Sequence, residues 1–253
     1  MITKYKAVDQ FLVDYLKQVK QILETNLVGI YLFGSLTYDD FDPSRSDIDF
    51  LVVTNTLLSK SEYESVKNMH SSLERAYPIW RGRNECSYTP IFMFTSPTPP
   101  GDRPYWGESE LYMATYGNEW IINNYLLLEH GITLHGVLFV SLCPHIDITQ
   151  VQSACLQDLK KEWEPKLYDD NWLSDPHYQS YLVLNLCRIL HTIKNSQASS
   201  KKISSEWVEK TYPQWANLID QALAWQQGQL MNQSSATKKF LSFIINQVTS
   251  TNI

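Results

Sequence analysis

Residues Gly29–Val53 read GIYLFGSLTYDDFDPSRSDIDFLVV. Two apolar runs, separated by a polar connection that contains a proline, predict strands at about 28–33 and 48–53. A Gly-Ser dipeptide follows the first strand, and Asp-Ile-Asp opens the second. The stretch therefore predicts the beginning of a small α/β domain, with polar groups gathered where the strands end and begin.

The polar residues of this stretch are those that a metal-dependent phosphoryl-transfer site needs. Asp47 and Asp49 are two residues apart, so they project from the same face of a strand. Mg²⁺ prefers hard oxygen ligands, usually one or two carboxylates together with water and phosphate oxygens. Gly34 lets the backbone approach a phosphate, Ser35 adds a hydroxyl and an N–H, and Ser46 is a further candidate nucleotide ligand. Each feature alone is common in turns, but their combination predicts phosphoryl or nucleotidyl transfer.

Composition agrees with an enzyme of modest size. The chain has 253 residues, of which 43% are hydrophobic and 19% are charged. It contains no run of about 20 apolar residues and no apolar secretion signal at the N-terminus, so we expect a cytoplasmic protein without a membrane partner. The four cysteines, Cys86, Cys143, Cys155 and Cys187, lack C-x-x-C spacing and are expected to be buried thiols.

The net charge of −6 disfavours a nucleic-acid partner, because binding a phosphate backbone requires clustered Lys and Arg. An acidic surface would instead attract a small cationic substrate. The charge therefore favours a small molecule over a polynucleotide as the acceptor.

The hydrophobic pattern divides the chain into a mixed and a helical part. After a first amphipathic helix, the N-terminal part predicts three strands, the third at about 86–94, and a helix with a Ser59–Glu62 capping box. A proline-containing loop is expected from Thr95 to Tyr105. Helices are then predicted at 108–130, 149–167, 177–194, 205–227 and 235–248. The predicted fold is α+β, with an N-terminal α/β domain built on a small mixed sheet (1–104) and a C-terminal all-helical domain (105–253).

The spacing G-S-x11-D-x-D resembles the signature of the DNA polymerase β-like nucleotidyltransferase superfamily. That resemblance implies a nucleotide held by Ser35, a metal held by Asp47 and Asp49, and a third carboxylate on a later strand. Glu85 opens the next apolar segment and is the candidate for this metal ligand and catalytic base. Glu108 and Glu110 lie downstream and remain alternatives.

The second half of the chain narrows the resemblance to one family. Leu184–Ile189 reads LNLCRI and is followed by Lys201-Lys202 and Glu206-Trp207, while Leu134-His135-Gly136 occurs earlier. These elements resemble the aminoglycoside adenylyltransferases that inactivate streptomycin and spectinomycin. The resemblance implies that Arg188 and Lys201 bind ATP from the helical domain.

The residues that this family uses for its antibiotic are matched less closely here. The acidic position, counted back from Arg188, falls on Tyr178, with Asp175, Asp169 and Asp170 nearby. The family's aromatic contact corresponds to Trp106 or Trp172. The candidate acceptor-binding residues are therefore Trp106, Trp172, Asp175 and Tyr178.

Together, these features predict Mg²⁺-dependent transfer of AMP from ATP to a hydroxyl of a small molecule, with Glu85 accepting the hydroxyl proton. The predicted acceptor is an aminoglycoside or aminocyclitol, and the predicted state is a monomer or weak dimer. The alternatives are a nucleotidyltransferase that modifies a protein or another acceptor, and a nucleotide-binding relative without catalytic activity.

Overall fold

The structure is a computed structural model that describes residues 2–38, 40–95, 99–226 and 228–249. The chain forms two compact units, Met1–His145 and Ile146–Ile253. Sequence reasoning placed the boundary at 104/105 instead. That position lies inside a strand of the first unit, and two more strands follow it, so the mixed part of the chain is longer than predicted.

The first unit contains a six-stranded mixed sheet. A mixed sheet was predicted, but with only three strands. Its strands are β1 (Leu27–Phe33), β2 (Ile48–Thr54), β3 (Asn84–Pro90), β4 (Asp102–Gly107), β5 (Glu110–Thr115) and β6 (Ile132–Gly136). The order across the sheet is β5-β4-β3-β2-β1-β6. Strands β2 and β3 are parallel, and every other neighbouring pair is antiparallel.

Two helices cover one face of this sheet. They are α1 (Lys6–Leu23) and α2 (Lys60–Ala76), and the predicted capping box of Ser59 and Glu62 begins α2. Their apolar stripes pack on the strand residues that alternate toward them, and Phe11, Tyr15, Phe50 and Cys86 are buried there. A third helix, α3 (Glu119–His130), follows β5.

The predicted helix at 108–130 was wrong in its first half, where β4 and β5 form a hairpin instead. The turn consists of Glu108 and Ser109, which have positive φ angles of 53° and 63°. Two-residue hairpin turns need such angles, and they are usually built from Asn or Gly. Because this turn uses neither residue, the sequence carried no hairpin signal. The predicted loop from Thr95 to Tyr105 likewise ends within β4, and its residues 96–98 lie outside the described part of the chain.

The second unit is helical, as predicted. Its α-helices are α4 (Ile148–Asp158), α5 (Pro176–Asn195), α6 (Lys201–Thr211), α7 (Ala216–Ala224) and α8 (Ser234–Thr249). The predicted helix at 205–227 is divided at Pro213, since proline has no N–H to continue the helix. Helix α5 is central, packs against α4, α6, α7 and α8, and buries its predicted stripe of Leu182, Leu186, Ile189 and Ile193.

All four cysteines are free and buried, which confirms the expectation for them. Within the residues that the structure describes, none of the helices combines the length and hydropathy that a membrane span requires.

Candidate active site

The Gly-Ser turn and the second aspartate of the motif lie directly against each other. Strand β1 ends at Phe33, which is paired with Asp49 of β2. Gly34 then has a φ of +71°, and a β-carbon at this position would overlap the Asp49 carboxylate. Ser35 lies in the 3-10 turn that starts at Gly34. Only glycine allows the turn to approach the carboxylate this closely.

The first aspartate lies at the more open end of the site. Asp47 precedes β2, its side chain is 45% exposed, and its Oδ1 lies 4.0 Å from Arg83 Nε. Arg83 also donates to the carbonyl oxygens of Ser46, at 2.5 Å, and Pro43, at 3.1 Å. Sequence reasoning missed Arg83, which precedes β3 by one residue and fixes the backbone that leads to the Asp-x-Asp pair.

The structure gives Ser46 a role in the connecting loop. Its hydroxyl accepts the N–H of Asp42 at 3.0 Å, and its own N–H donates to the Asp42 carbonyl at 2.8 Å. These contacts tie the loop back on itself before Asp47. Ser46 as a nucleotide ligand stays a prediction.

Glu85, the predicted third carboxylate, lies on β3 next to Asp49. Glu85 is the register partner of Asp49 in the parallel pair of β2 and β3, so both side chains project from the same face of the sheet. The alternatives Glu108 and Glu110 are instead exposed at the tip of the β4–β5 hairpin. Among the predicted acids, Glu85 is therefore the one that the sheet pairs with Asp49.

The face of the sheet from which Asp49 and Glu85 project, here called the acidic face, also contains a tyrosine that the sequence did not predict. The Tyr105 hydroxyl donates to Glu85 Oε2 at 2.5 Å. Burial raises the pKa of Tyr105, and the charges of Glu85 and Asp49 raise it further, so the phenol stays protonated and remains a donor. The proline-containing segment that includes Tyr105 was predicted to be a loop, so no sequence pattern indicated this contact.

The donor chemistry of the two aspartates suits Mg²⁺, although the predicted three-ligand set is not assembled. Within the described ranges of the chain, no three His, Cys, Asp or Glu side chains gather into a group arranged to hold a metal. Mg²⁺ does not need such a group, because it commonly takes one or two protein carboxylates and fills its other positions with water and substrate phosphate. Asp47 and Asp49 supply that number of hard oxygen donors.

The two predicted ATP ligands of the helical unit are Arg188 and Lys201. Arg188 is half-buried on α5, near Cys155. Burial raises the pKa of the Cys155 thiol to about 12, and the positive charge of Arg188 acts in the opposite direction. Lys201 is the first residue of α6, and its Nζ lies 5.0 Å from the centre of the Tyr181 ring. The predicted polar face of α5, which includes Tyr181, thus has a lysine beside it.

Two of the predicted acceptor residues form an aromatic pair. Trp172 and Tyr178 stack with ring centres 4.6 Å apart and planes 9° apart, and both are half-buried. Lys166 Nζ lies 4.9 Å from the centre of the Trp172 ring, and the Trp163 ring packs beside it. Asp175 caps α5 by accepting the His177 N–H at 2.8 Å, so its carboxylate already serves the helix.

The structure excludes Trp106 as a surface for the acceptor. Trp106 is 1% exposed and faces the side of the sheet covered by α2, where it stacks on His70 at 4.6 Å. Its indole N–H donates to Glu74 Oε1 at 3.3 Å. The sequence could not show this, because the strand β4 that turns Trp106 into the core was not predicted.

Comparisons with known proteins match both halves of the chain. Residues 14–79 match the family described as Nucleotidyltransferase domain, and residues 142–250 match the family described as Aminoglycoside adenylyltransferase, C-terminal domain. No curated protein sequence is significantly similar to the chain.

Among solved structures, the chain is similar to the spectinomycin adenyltransferase AAD(9) from Enterococcus faecialis, solved with ATP and spectinomycin. The match has a TM-score of 0.73 and 20% sequence identity, and it covers 95% of this chain and 99% of that chain. It shows that both halves of the chain share the fold of that protein. The two family matches, at residues 14–79 and 142–250, support the aminoglycoside nucleotidyltransferase family and an enzymatic role for this chain.

Proposed function

We propose that the protein transfers AMP from ATP to a hydroxyl of an aminoglycoside or aminocyclitol, in a Mg²⁺-dependent reaction. The observation that carries the proposal is that Gly34, directly after β1, lies against Asp49 of β2, which is in turn paired with Glu85 of β3. A close backbone turn, a metal-binding carboxylate and a second carboxylate are the groups that nucleotidyl transfer to a hydroxyl requires.

Each group has a role in this reaction. Asp47 and Asp49 would hold Mg²⁺, which supplies charge neutralisation on the triphosphate when it is bound. The Gly34–Ser35 turn would receive a phosphate, because glycine allows close approach and the serine offers an N–H and a hydroxyl. Glu85 would accept the proton of the acceptor hydroxyl.

The helical unit would contribute further ligands. We retain Arg188 and Lys201 as ligands of ATP, since a guanidinium pairs well with phosphate oxygens. Trp172 and Tyr178 are the proposed acceptor ligands, because a stacked pair of rings offers an apolar surface beside polar edges. The net charge of −6 suits the cationic acceptors of this chemical class.

Spectinomycin is the first acceptor to test, because the structurally similar AAD(9) was solved with it. Streptomycin is the second, because the sequence resembles the adenylyltransferases that inactivate both drugs. The other acceptors to compare are further aminoglycosides and protein hydroxyls. A reaction without acceptor is the control.

Mass spectrometry of antibiotics incubated with the protein, ATP and Mg²⁺ tests the proposal. We expect one acceptor to gain the mass of one AMP while pyrophosphate is released, with no product in EDTA. If no aminoglycoside or aminocyclitol gains AMP, the proposed acceptor class is wrong. AMP found on a protein instead would support the alternative of a protein-modifying enzyme, and ATP binding without any transfer would support a non-catalytic relative.

A further inference from the structure

The contact between Tyr105 and Glu85 joins two strands across the acidic face of the sheet. Tyr105 is on β4 and is the register partner of Ser87 on β3, so its side chain projects from the same face as Ser87 and Glu85. Its hydroxyl reaches back along β3 and donates to Glu85 Oε2 at 2.5 Å. Hydrogen bonds from a hydroxyl to a carboxylate are among the short and strong ones.

The Tyr105 ring is itself held in place. Gly107 lies beside it, and a β-carbon at Gly107 would come within 2.5 Å of the ring atom Cε1. The Arg103 guanidinium lies 5.1 Å from the ring centre, and the Tyr112 ring packs edge-on with a centre-to-centre distance of 5.6 Å. The hydroxyl is therefore presented by a ring with neighbours on several sides.

A glutamate in this position needs such support if it is to act as a base. Its side chain has three rotatable bonds, and only a small part of its conformational range brings an oxygen to a given proton. A donor fixed to one carboxylate oxygen selects that range and leaves the other oxygen of the same group to take the proton.

We propose that Tyr105 is a positioning residue for Glu85, holding Oε2 so that Oε1 faces the acceptor hydroxyl. The inference rests on the proposed function. In the step that Tyr105 supports, the proton moves from the acceptor hydroxyl to Glu85. The acceptor oxygen forms a bond to the α-phosphorus of ATP, and the bond from that phosphorus to the bridging oxygen breaks to release pyrophosphate.

Tyr105→Phe is the first test, because it removes the hydroxyl and keeps the ring. We expect kcat to fall about 10-fold to 100-fold while KM for ATP changes less than about twofold, since positioning of the base affects chemistry more than nucleotide binding. Tyr112→Phe is the matched control: it removes the hydroxyl of the neighbouring ring, and we expect wild-type kcat. An unchanged kcat in Tyr105→Phe, or an equal loss in both variants, would overturn the inference.

A double-mutant cycle separates positioning from a general structural effect. If Tyr105 acts through Glu85, then adding Tyr105→Phe to Glu85→Gln should cost less than about twofold beyond Glu85→Gln alone. A loss in the Gln background as large as in the wild type would show that Tyr105 supports the fold or another group, and the proposal would be wrong.

A crystal structure of Tyr105→Phe tests the same contact without any activity. We expect Glu85 to leave its present rotamer or to occupy several. A Glu85 side chain that stays in place in the variant contradicts the proposal. This measurement remains decisive even if the wild-type protein transfers no AMP, so failure of the inference and failure of the proposed function give different results.

Discussion

The Asp49 carboxylate occupies the space in which Gly34 would carry a β-carbon. Gly34 directly follows the first strand of the motif and Asp49 lies in the second, so this contact joins the two halves of G-S-x11-D-x-D in space. The spacing G-S-x11-D-x-D thus reflects direct packing of the Gly34 backbone on the Asp49 side chain. Because of this contact, position 34 has no room for a side chain.

Gly34→Ala is therefore expected to reduce AMP transfer by more than about 100-fold, because the new methyl group displaces the carboxylate that would hold Mg²⁺. Initial rates of pyrophosphate release measure the effect. Gly82→Ala is the matched control, since Gly82 has a similar φ of +66° but its β-carbon would meet only Ser109 Oγ at 3.7 Å. Both variants are expected to lose about 1 kcal/mol of stability from backbone strain. Equal losses of activity in the two would show that strain, and not the Asp49 contact, is responsible.

Asp47→Asn and Asp49→Asn should each abolish transfer and leave the fold intact, because the amide keeps the shape and loses the charge that binds Mg²⁺. Turnover as a function of Mg²⁺ concentration and the circular dichroism spectrum are the measurements. Asp102→Asn is a suitable control, since Asp102 is an exposed acid at the start of β4 in the same sheet. Near-normal turnover in either site variant is incompatible with the assignment.

Glu85→Gln is expected to lower kcat by about 10²- to 10⁴-fold with little change in the affinity for ATP, because a general base acts in the chemical step. Single-turnover kinetics and calorimetric titration with ATP separate the two effects. Glu110→Gln, at one of the alternative positions on the hairpin, should retain wild-type kcat. If Glu110→Gln loses activity and Glu85→Gln does not, the base has been assigned to the wrong strand.

The extent to which the sequence predicted this site follows from how local each signal was. Gly34, Asp47 and Asp49 were found because the apolar runs beside them define two strands without any other part of the chain. Glu85 was found because it opens the next apolar run, and its pairing with Asp49 is a consequence of the parallel register.

Trp106 was assigned wrongly, and Tyr105 was missed, for the opposite reason. Both depend on β4, and β4 pairs with β5 through a Glu108–Ser109 turn whose left-handed backbone is unusual for those residue types. Without that strand, no sequence pattern could show that Trp106 faces the core while Tyr105 faces Glu85. Contacts set by tertiary pairing cannot be obtained from local propensity.

His70, on the side of the sheet covered by α2, makes the stability of the fold sensitive to acid. It is fully buried between Asn84 Oδ1, at 3.1 Å, and the Tyr88 hydroxyl, at 2.8 Å, and burial lowers its pKa from 6.5 to about 3. The unfolded chain therefore binds a proton at His70 below pH 6.5 while the folded protein does not. Stability that is present above pH 6.5 is lost as the pH falls toward 3, by about 2 kcal/mol between pH 6.5 and 5.

Urea unfolding at pH 7 and pH 5 measures this loss. His70→Gln should be less stable than wild type at pH 7, because it disturbs the buried hydrogen bonds, but its stability should depend less on pH by about 2 kcal/mol. His145→Gln changes an exposed histidine and should keep the acid sensitivity of the wild type. If His70→Gln has the same pH dependence as wild type, another group is responsible for the acid sensitivity.

The last prediction concerns the helical unit, whose proposed part in nucleotide binding rests on its resemblance to the aminoglycoside adenylyltransferases. Arg188→Ala should weaken ATP binding by about 2 kcal/mol, or roughly 30-fold, because a guanidinium can bind two phosphate oxygens at once and alanine cannot replace it. Lys201→Ala should cost about 1 kcal/mol, since an ammonium group is a single point charge and here lies beside the Tyr181 ring. Lys202→Ala, at the exposed position next in sequence, is the control and should bind ATP as the wild type does. Calorimetric titration with ATP and Mg²⁺ measures all three variants. Wild-type affinity in both Arg188→Ala and Lys201→Ala would confine nucleotide binding to the first unit and remove the functional meaning of the resemblance in the LNLCRI segment.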